Sequence, residues 1–355
     1  MPMKILVTGG AGFVGASLSL HMKRDWPSAT VIAFDNLRRR GSELNLERLR
    51  LAGVKFVHGD VRHAADLSAI GPIDLLLECS AEPSVLGGLS GDARYVIDTN
   101  LIGTVNCLEY ARTHGALVMF FSTSRVFPIG RLTMLPVTEI GERLTLLEGY
   151  HAAGVSSAGI SEEFPLGGSR SLYGATKLAS ELLIEEYGVM FGLRTIVNRC
   201  GLLTGPWQMG KVDQGVVALW VACHYFGKPL KYIGFGGAGK QVRDFLHVDD
   251  LYRLVRVQIQ SSAQHVGHVY NVGGGSLNSF SLAELTDVCR SVVGKRVEID
   301  SVVEDRVLDI PWFITDSRKV QAAAGWSPEI GLHETVRGIT NWIQENEKVL
   351  SPVFL

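Results

Sequence analysis

Lys4-Ile5-Leu6-Val7-Thr8-Gly9-Gly10-Ala11-Gly12-Phe13-Val14-Gly15 reads as a buried strand, a tight turn and the start of a helix. The three glycines Gly9, Gly12 and Gly15 recur at spacing three, and an apolar helix pattern follows through Val14, Leu18 and Met22. A strand-to-helix turn this tight asks for backbone angles that a side chain forbids. Without a Cβ the main chain can also come close to a pyrophosphate, and the free N–H groups of the helix start attract that anion. A second apolar strand, Thr30-Val31-Ile32-Ala33-Phe34, ends in Asp35, 20 residues after Gly15. A carboxylate there suits the hydroxyls of an adenosine ribose and repels a 2′-phosphate, so the pattern predicts NAD as cofactor. Arg38, Arg39 and Arg40 pull the other way, because guanidinium groups pair with phosphate.

Outward from that turn, strand and helix patterns alternate through the first 200 residues. Val54–His58, Ile73–Cys79, Leu117–Ser122 and Thr195–Arg199 read as strands, with helices over 92–114 and 173–191. Ile73–Cys79 is a largely apolar run around Leu75-Leu76-Leu77, with Asp74 and Glu78 at either side, as a parallel strand covered on both faces requires. The expectation is an α/β fold with a doubly wound parallel sheet of the Rossmann type. Beyond residue 201 glycine and aromatics rise. The division expected is a nucleotide domain over 1–200, with 241–275 returning to it, and a smaller α+β substrate domain over 201–240 and 276–355. The long stretch 128–171 is expected to serve a site.

Composition narrows the function. With 355 residues and 46% hydrophobic content, the chain has ample material for a core. A formal charge of −2 implies no general attraction to nucleic acid or an anionic membrane. No apolar run is long enough to span a bilayer, and the chain enters a strand within a few residues, without a signal-peptide pattern. Cys79, Cys107, Cys200, Cys223 and Cys289 are scattered and read as reduced thiols in a cytoplasmic protein, with no metal site.

Ligands of such sheets sit at the carboxyl ends of the strands. That rule selects Asp35 and Asn36, Asp60 and Val61, Ser80 and Ala81, Ser122, Thr123 and Ser124, and Cys200. Asp60 is placed to accept from an adenine amino group with Val61 covering the ring, and Asn100 to hold backbone near the cofactor. The second decisive motif is Tyr173-Gly174-Ala175-Thr176-Lys177, where tyrosine and lysine four apart share a helix face. An ammonium beside a phenol favours phenolate. Bringing the phenol from about 10 to about 7 takes roughly 4 kcal/mol of electrostatics. Tyr173 then acts as general base, Lys177 also bonds the nicotinamide ribose, and Thr123 holds the same substrate oxygen.

These motifs resemble the extended short-chain dehydrogenase/reductase family of nucleotide-sugar enzymes over nearly the whole chain. The resemblance implies cofactor contacts at Gly9, Gly12, Phe13 and Val14, the adenine contact at Asp60-Val61-Arg62, and catalysis by Thr123, Tyr173 and Lys177. It also implies diphosphate recognition by Arg243 and Arg306. The family's usual Arg-Tyr-Phe-Asn run reads Arg199-Cys200-Gly201-Leu202 here, so its asparagine is missing and Asn198 is the substitute considered. The run 199–215, including Lys211-Val212-Asp213-Gln214-Gly215, resembles a branch that epimerises a CDP-linked sugar at C2 by way of a ketone. Gln214 and Ser124 are the further substrate contacts implied. A 4-epimerase on the same scaffold is the alternative, and a non-catalytic NAD-binding sensor a distant one. A 4,6-dehydratase would need an acid pair where Ser124-Arg125 stands. The family also implies a homodimer or homotetramer.

Overall fold

The computed structural model describes residues 2–89, 91–210 and 214–354. Lys211, Val212 and Asp213, singled out above, lie outside the described residues. Two compact units are present: residues 2–126, 171–199 and 252–270 form one, and 127–170, 200–251 and 271–354 the other.

The first unit is built on a seven-stranded sheet. Its strands are β1 (Lys4–Thr8), β2 (Thr30–Asp35), β3 (Lys55–His58), β4 (Leu75–Glu78), β5 (Leu117–Thr123), β6 (Thr195–Cys200) and β9 (Val269–Val272). The order across the sheet is β9-β6-β5-β4-β1-β2-β3. From β3 to β5 every pairing is parallel, and the register sets Thr8 beside Glu78 and Glu78 beside Phe120. The reversal of order between β1 and β4 is the switch point where such sheets take their ligand.

Helix α1 (Phe13–Asp25) follows β1 and can do so only because of glycine. Gly9 has φ +62°, and a Cβ on Gly15 would stand 2.2 Å from the Gly9 carbonyl oxygen. The helical run over 93–114 is not one regular helix. A π-helical turn, Asp98–Ile102, separates Ala93–Ile97 from α2 (Gly103–His114). Such turns often accompany functional positions. Helix α3 (Leu172–Phe191) starts at Ser171, whose Oγ accepts from the Gly174 N–H, and stops at left-handed Gly192. The apolar faces of β1, β4, β5, α2 and α3 close on one core containing Leu6, Leu76, Leu108, Val118, Phe120 and Ile184. A buried ion pair fastens α3 to β6: Arg199 Nη2 and Glu181 Oε2 are 2.8 Å apart, and Ser122 Oγ donates to the same carboxylate.

The second unit holds a smaller sheet of β7 (Leu202–Thr204), β8 (Val242–His247), β10 (Ser279–Ser281) and β11 (Trp312–Phe313). Strand β8 is central, pairing with all three others. Its Asp244 is buried and accepts from the Thr315 N–H and hydroxyl and the Gly275 N–H; burial pushes its carboxyl up to about 6. Three helices, Val216–Phe226, Leu282–Val293 and Leu332–Glu345, pack on one another.

Two boundaries differ from the sequence expectation. The stretch 128–171 is no open loop: it contains a short helix, Ile129–Thr133, and an antiparallel pair, Val137–Ile140 with Arg143–Leu146, and up to Arg170 it belongs to the second unit. Of 241–275, only 252–270 groups with the first unit, because β8 has a sheet of its own to complete. Helix α4 (Val248–Gln260) and β9 carry that return. All five cysteines are thiols, outside any disulfide. Among the described residues no helix is long and apolar enough to cross a membrane.

Removing one partner of a buried ion pair strands the other charge, at a cost of roughly 3–5 kcal/mol. Arg199→Ala is therefore expected to lower the urea midpoint sharply, while replacing an exposed pair member such as Arg50 leaves it near wild type. Equal midpoints for the two variants would show that Glu181 does not depend on Arg199.

Candidate functional site

The glycine turn offers a cradle for an anion. Gly12 caps α1 in an extended conformation, and its N–H donates to the Gly9 carbonyl at 3.0 Å, which tightens the turn. Phe13 and Val14 open the helix half-buried, with no acid in the first turn to repel a phosphate. A Cβ at Gly9 would meet the Cys79 carbonyl oxygen at 2.8 Å, and one at Gly12 the Gly9 oxygen at 3.1 Å. A side chain at either position would run into the protein's own backbone, so the turn closes only with glycine, and the N–H groups at the start of α1 then suit a dinucleotide pyrophosphate.

At the end of β2, Asp35 Oδ2 accepts from the Ala11 N–H at 3.1 Å and Oδ1 from the Leu37 N–H at 2.7 Å. Burial pushes this carboxyl up, against the pull of those N–H groups. Asn36 Nδ2 donates to Asp60 Oδ2 at 2.9 Å, and Arg62 grips the same carboxylate in a forked pair at 2.6–3.1 Å. Burial raises Asp60, but Arg62 and Asn36 outweigh it and hold the carboxyl far below its ordinary range. A cleft of about 500 Å³ opens here, lined by Asn36, Arg38, His58, Asp60, Arg62 and His63. Arg38 lies over the Tyr95 ring at 3.8 Å from its centre, with Arg62 over it at 4.9 Å.

Val61 follows Asp60 directly. Its side chain is buried in the core and packs on Gly103, where a Cβ would come within 2.8 Å of it. Ser80 is buried and Ala81 half-buried just past β4. The backbone beyond them is held by Asn100, whose Oδ1 accepts from the Glu82 N–H at 2.8 Å and whose Nδ2 donates to the Glu82 carbonyl at 3.1 Å. Asn100 sits in the π-helical turn, is fully buried, and also reaches Thr176 Oγ1 on α3.

The three residues assigned to chemistry lie in the first unit. Thr123 ends β5; its Oγ1 accepts from the Arg125 N–H at 3.1 Å, so its own proton remains available for a further acceptor. Tyr173 is in the first turn of α3, 9% exposed, and its carbonyl accepts from the Thr176 hydroxyl. Lys177, one turn later, is 1% exposed, with Nζ over the Phe120 ring at 4.2 Å. Ser124 is half-buried and opens a short 3-10 turn. Ser122 faces inward to Glu181, within the buried ion-pair cluster.

The substrate assignments fare less evenly. Asn198 is fully buried, and its amide makes two reciprocal bonds with that of Gln258, at 2.8 and 2.9 Å. It is a strut between β6 and α4, its amide committed to Gln258 and not to a diphosphate. Cys200, the last residue of β6, is buried in the second unit. Arg243 on β8 donates to Asp309 Oδ1 at 2.7 Å, to the Ile310 carbonyl at 2.6 Å and to its neighbour's carbonyl. Burial pulls its pKa down, with Asp309 opposing. Gln214 and Arg306 are half-buried.

The sequence reading passed over three buried polar groups at this face. Thr104 on α2 lies 2.7 Å from Glu78 Oε1, and Glu181 lies one turn beyond Lys177. Glu78 had a visible signal: it is an acid that closes the apolar run Leu75-Leu76-Leu77. Burial pushes its carboxyl up, against the pull of the Lys177 charge and the Thr104 hydroxyl. Among the described residues no His, Cys, Asp and Glu cluster suits a metal ion.

Comparison with known proteins agrees with this geometry. Residues 5–273 match the NAD dependent epimerase/dehydratase family. The chain is similar to CDP-paratose 2-epimerase of Salmonella typhi, 28% identical over 348 residues that cover 96% of this chain and 99% of that one. It is 26% identical to dTDP-glucose 4,6-dehydratase of Salmonella typhimurium, over 99% of this chain and 95% of that one. The crystal structure of dTDP-glucose 4,6-dehydratase from Bacillus anthracis in complex with NAD superposes with a TM-score of 0.77, at 25% identity and 99% coverage of both chains. With a bare-backbone anion cradle at the switch point and a family match over three quarters of its length, this chain belongs to the NAD-dependent epimerase/dehydratase family and is an enzyme whose cofactor is NAD.

Proposed function

We propose that this enzyme epimerises a nucleotide sugar, inverting C2 of a CDP-linked 3,6-dideoxyhexose in the manner of a CDP-paratose 2-epimerase. The observation that carries the choice of reaction is the turn after β5. Thr123 is followed by Ser124 and Arg125, where a dehydratase of this family places an acid pair. With no carboxyl group there to expel water from the sugar, oxidation and re-reduction remain. The runner-up is a 4-epimerase acting on a UDP-sugar, which would use the same three residues.

NAD, when bound, supplies a reversible hydride acceptor. The chain's own residues manage the proton and the position. Tyr173 takes the hydroxyl proton as the carbinol becomes a ketone and returns it after the sugar has turned. Lys177 makes this feasible at neutral pH, because a desolvated ammonium near a phenol favours phenolate. Thr123 turns its free proton to the same oxygen and fixes its place. Gly9, Gly12, Phe13 and Val14 would hold the pyrophosphate of the cofactor, with Asp35 and Asn36 at the ribose and Asp60 with Arg62 toward the base. In the second unit, Arg243 and Arg306 are the proposed ligands of the substrate diphosphate, with Gln214 at the nucleotide.

Assembly into a homodimer or homotetramer through the outer faces of the helical run 93–114 and α3 belongs to the same reading. It is supported by Leu182, Val189, Met190 and Phe191, which are apolar and more than half exposed on α3. Residence in the cytoplasm, where nucleotide sugars and NAD are available, completes the reading.

The mechanism keeps hydride within the protein, so cofactor is expected to be released when the purified enzyme is denatured, and is assayed enzymatically in the supernatant. Incubation with CDP-, UDP- and dTDP-sugars in deuterated water is expected to invert one centre of a CDP-sugar without placing solvent deuterium on that carbon. Deuterium found there by NMR would replace hydride transfer by a carbanion route, and turnover of UDP-sugars alone would favour the runner-up. Tyr173→Phe is expected to keep NAD bound and lose about 10²-fold or more in turnover. Undiminished turnover would remove Tyr173 from the mechanism.

A further inference from the structure

Glu78 stands where an acid is costly. It ends β4 at 1% exposure, in line with Thr8 of β1 and Phe120 of β5. Register neighbours in a parallel sheet lie about 4.8 Å apart and share a face. On that face, α2 contributes Thr104 and Cys107 and α3 contributes Lys177, whose Nζ lies over Phe120. One carboxyl oxygen, Oε1, is bonded to Thr104. The other, Oε2, has no hydrogen-bond partner among the described residues, and neither has the adjacent Thr8 Oγ1.

The protons in this group can be counted. Thr104 has one hydroxyl proton and two acceptors in reach, Glu78 Oε1 at 2.7 Å and the Asn100 carbonyl at 2.8 Å. If Glu78 is neutral, its own proton goes to Thr104 and the Thr104 proton to Asn100. If Glu78 is ionised, Thr104 turns to Glu78, and Asn100 needs another donor. Ser180 on α3 can turn to it, its one hydroxyl proton lying between the Asn100 carbonyl at 3.1 Å and the Thr176 carbonyl at 3.0 Å. The network can therefore accommodate the anion. Cys107 does not compete, since burial holds its thiol well above its usual range. A buried carboxylate with one oxygen unbonded is tolerated only beside a positive charge, and a buried ammonium has the mirror-image need.

We propose that Glu78 is a positioning residue: its ionised carboxylate is the buried counter-ion of Lys177 and keeps that ammonium charged. Its catalytic consequence rests on the roles of Tyr173 and Lys177 given above, but the pairing itself does not. Lys177 is almost wholly buried, and without an opposite charge it would release its proton at lower pH. The phenol of Tyr173 would then lose the charge that favours its ionisation. On the same helix Glu181 also carries negative charge near Lys177, but it is already committed to Arg199 and Ser122.

The test is a direct titration of Lys177 in the full-length protein with its cofactor bound. Protein labelled with 13C at lysine Cε is followed by NMR across pH, with the Lys177 resonance identified by its loss in Lys177→Arg. In Glu78→Gln, which keeps the shape and removes the charge, the Lys177 midpoint is expected to fall by about one pH unit or more. Glu78→Asp is expected to hold it near wild type. A midpoint that stays in place or rises in Glu78→Gln overturns the proposal, and a loss of stability without a shift counts as that result. Should Glu78→Gln fail to fold, Thr104→Val leaves both charges and removes the hydroxyl that steadies the anion. It is then expected to lower the midpoint by a smaller amount, and no movement overturns the proposal equally. The pH profile of turnover separates the two readings. A Lys177 midpoint that falls while the profile stays fixed upholds the counter-ion and refutes the Tyr173–Lys177 mechanism.

Discussion

Helix α3 brings a lysine and a glutamate, one turn apart, against a sheet from which water is excluded. Neither charge survives there alone, because removing an ion from water costs more than the packing of one side chain returns. Arg199 answers Glu181 through a forked pair, and Ser122 completes the arrangement. Lys177 lies over Phe120 and in the field of Glu78. The polar demands of this helix thus dictate what stands at the ends of β4, β5 and β6. Those strand ends are where the sheet receives its ligand, so the solution to a stability problem also furnishes the chemistry.

Much of this could be read in the residues. Continuous apolar runs marked the strands, and the glycine spacing fixed the turn, because backbone geometry there admits few side chains. Tyr173 and Lys177 were legible because a helix puts positions four apart on one face. What stayed hidden depends on partners distant in sequence. Nothing local in Thr195–Cys200 announces that Asn198 will be taken by Gln258, 60 positions later. Likewise Val61 reads as a strand-end residue near a base, yet Gly103 leaves a hollow that draws its side chain inward.

The second unit shows the limit of composition as a guide to domains. Rising glycine and aromatic content marked a change of character near residue 201. It could not show that 127–170 joins the later segments, because those residues enter the second unit through backbone pairings with segments far along the chain, such as the isolated bridge of Ile160 to Thr315. Arg243 illustrates the same point for a single side chain. Its type suits a diphosphate, and the fold supplies it with Asp309 beforehand, so its charge is held at a fixed angle.

The widened turn at Asp98–Ile102 has an effect on rotational phase. A regular helix advances by about 100° per residue, and one loosened turn offsets everything after it from everything before. The short segment Ala93–Ile97 can accordingly aim Tyr95 outward beneath Arg38 and Arg62, while Gly103–His114 aims Cys107, Leu108 and Ala111 into the interior. A single continuous helical run thereby serves two surfaces that a straight one would leave out of step, and Asn100 occupies the pivot.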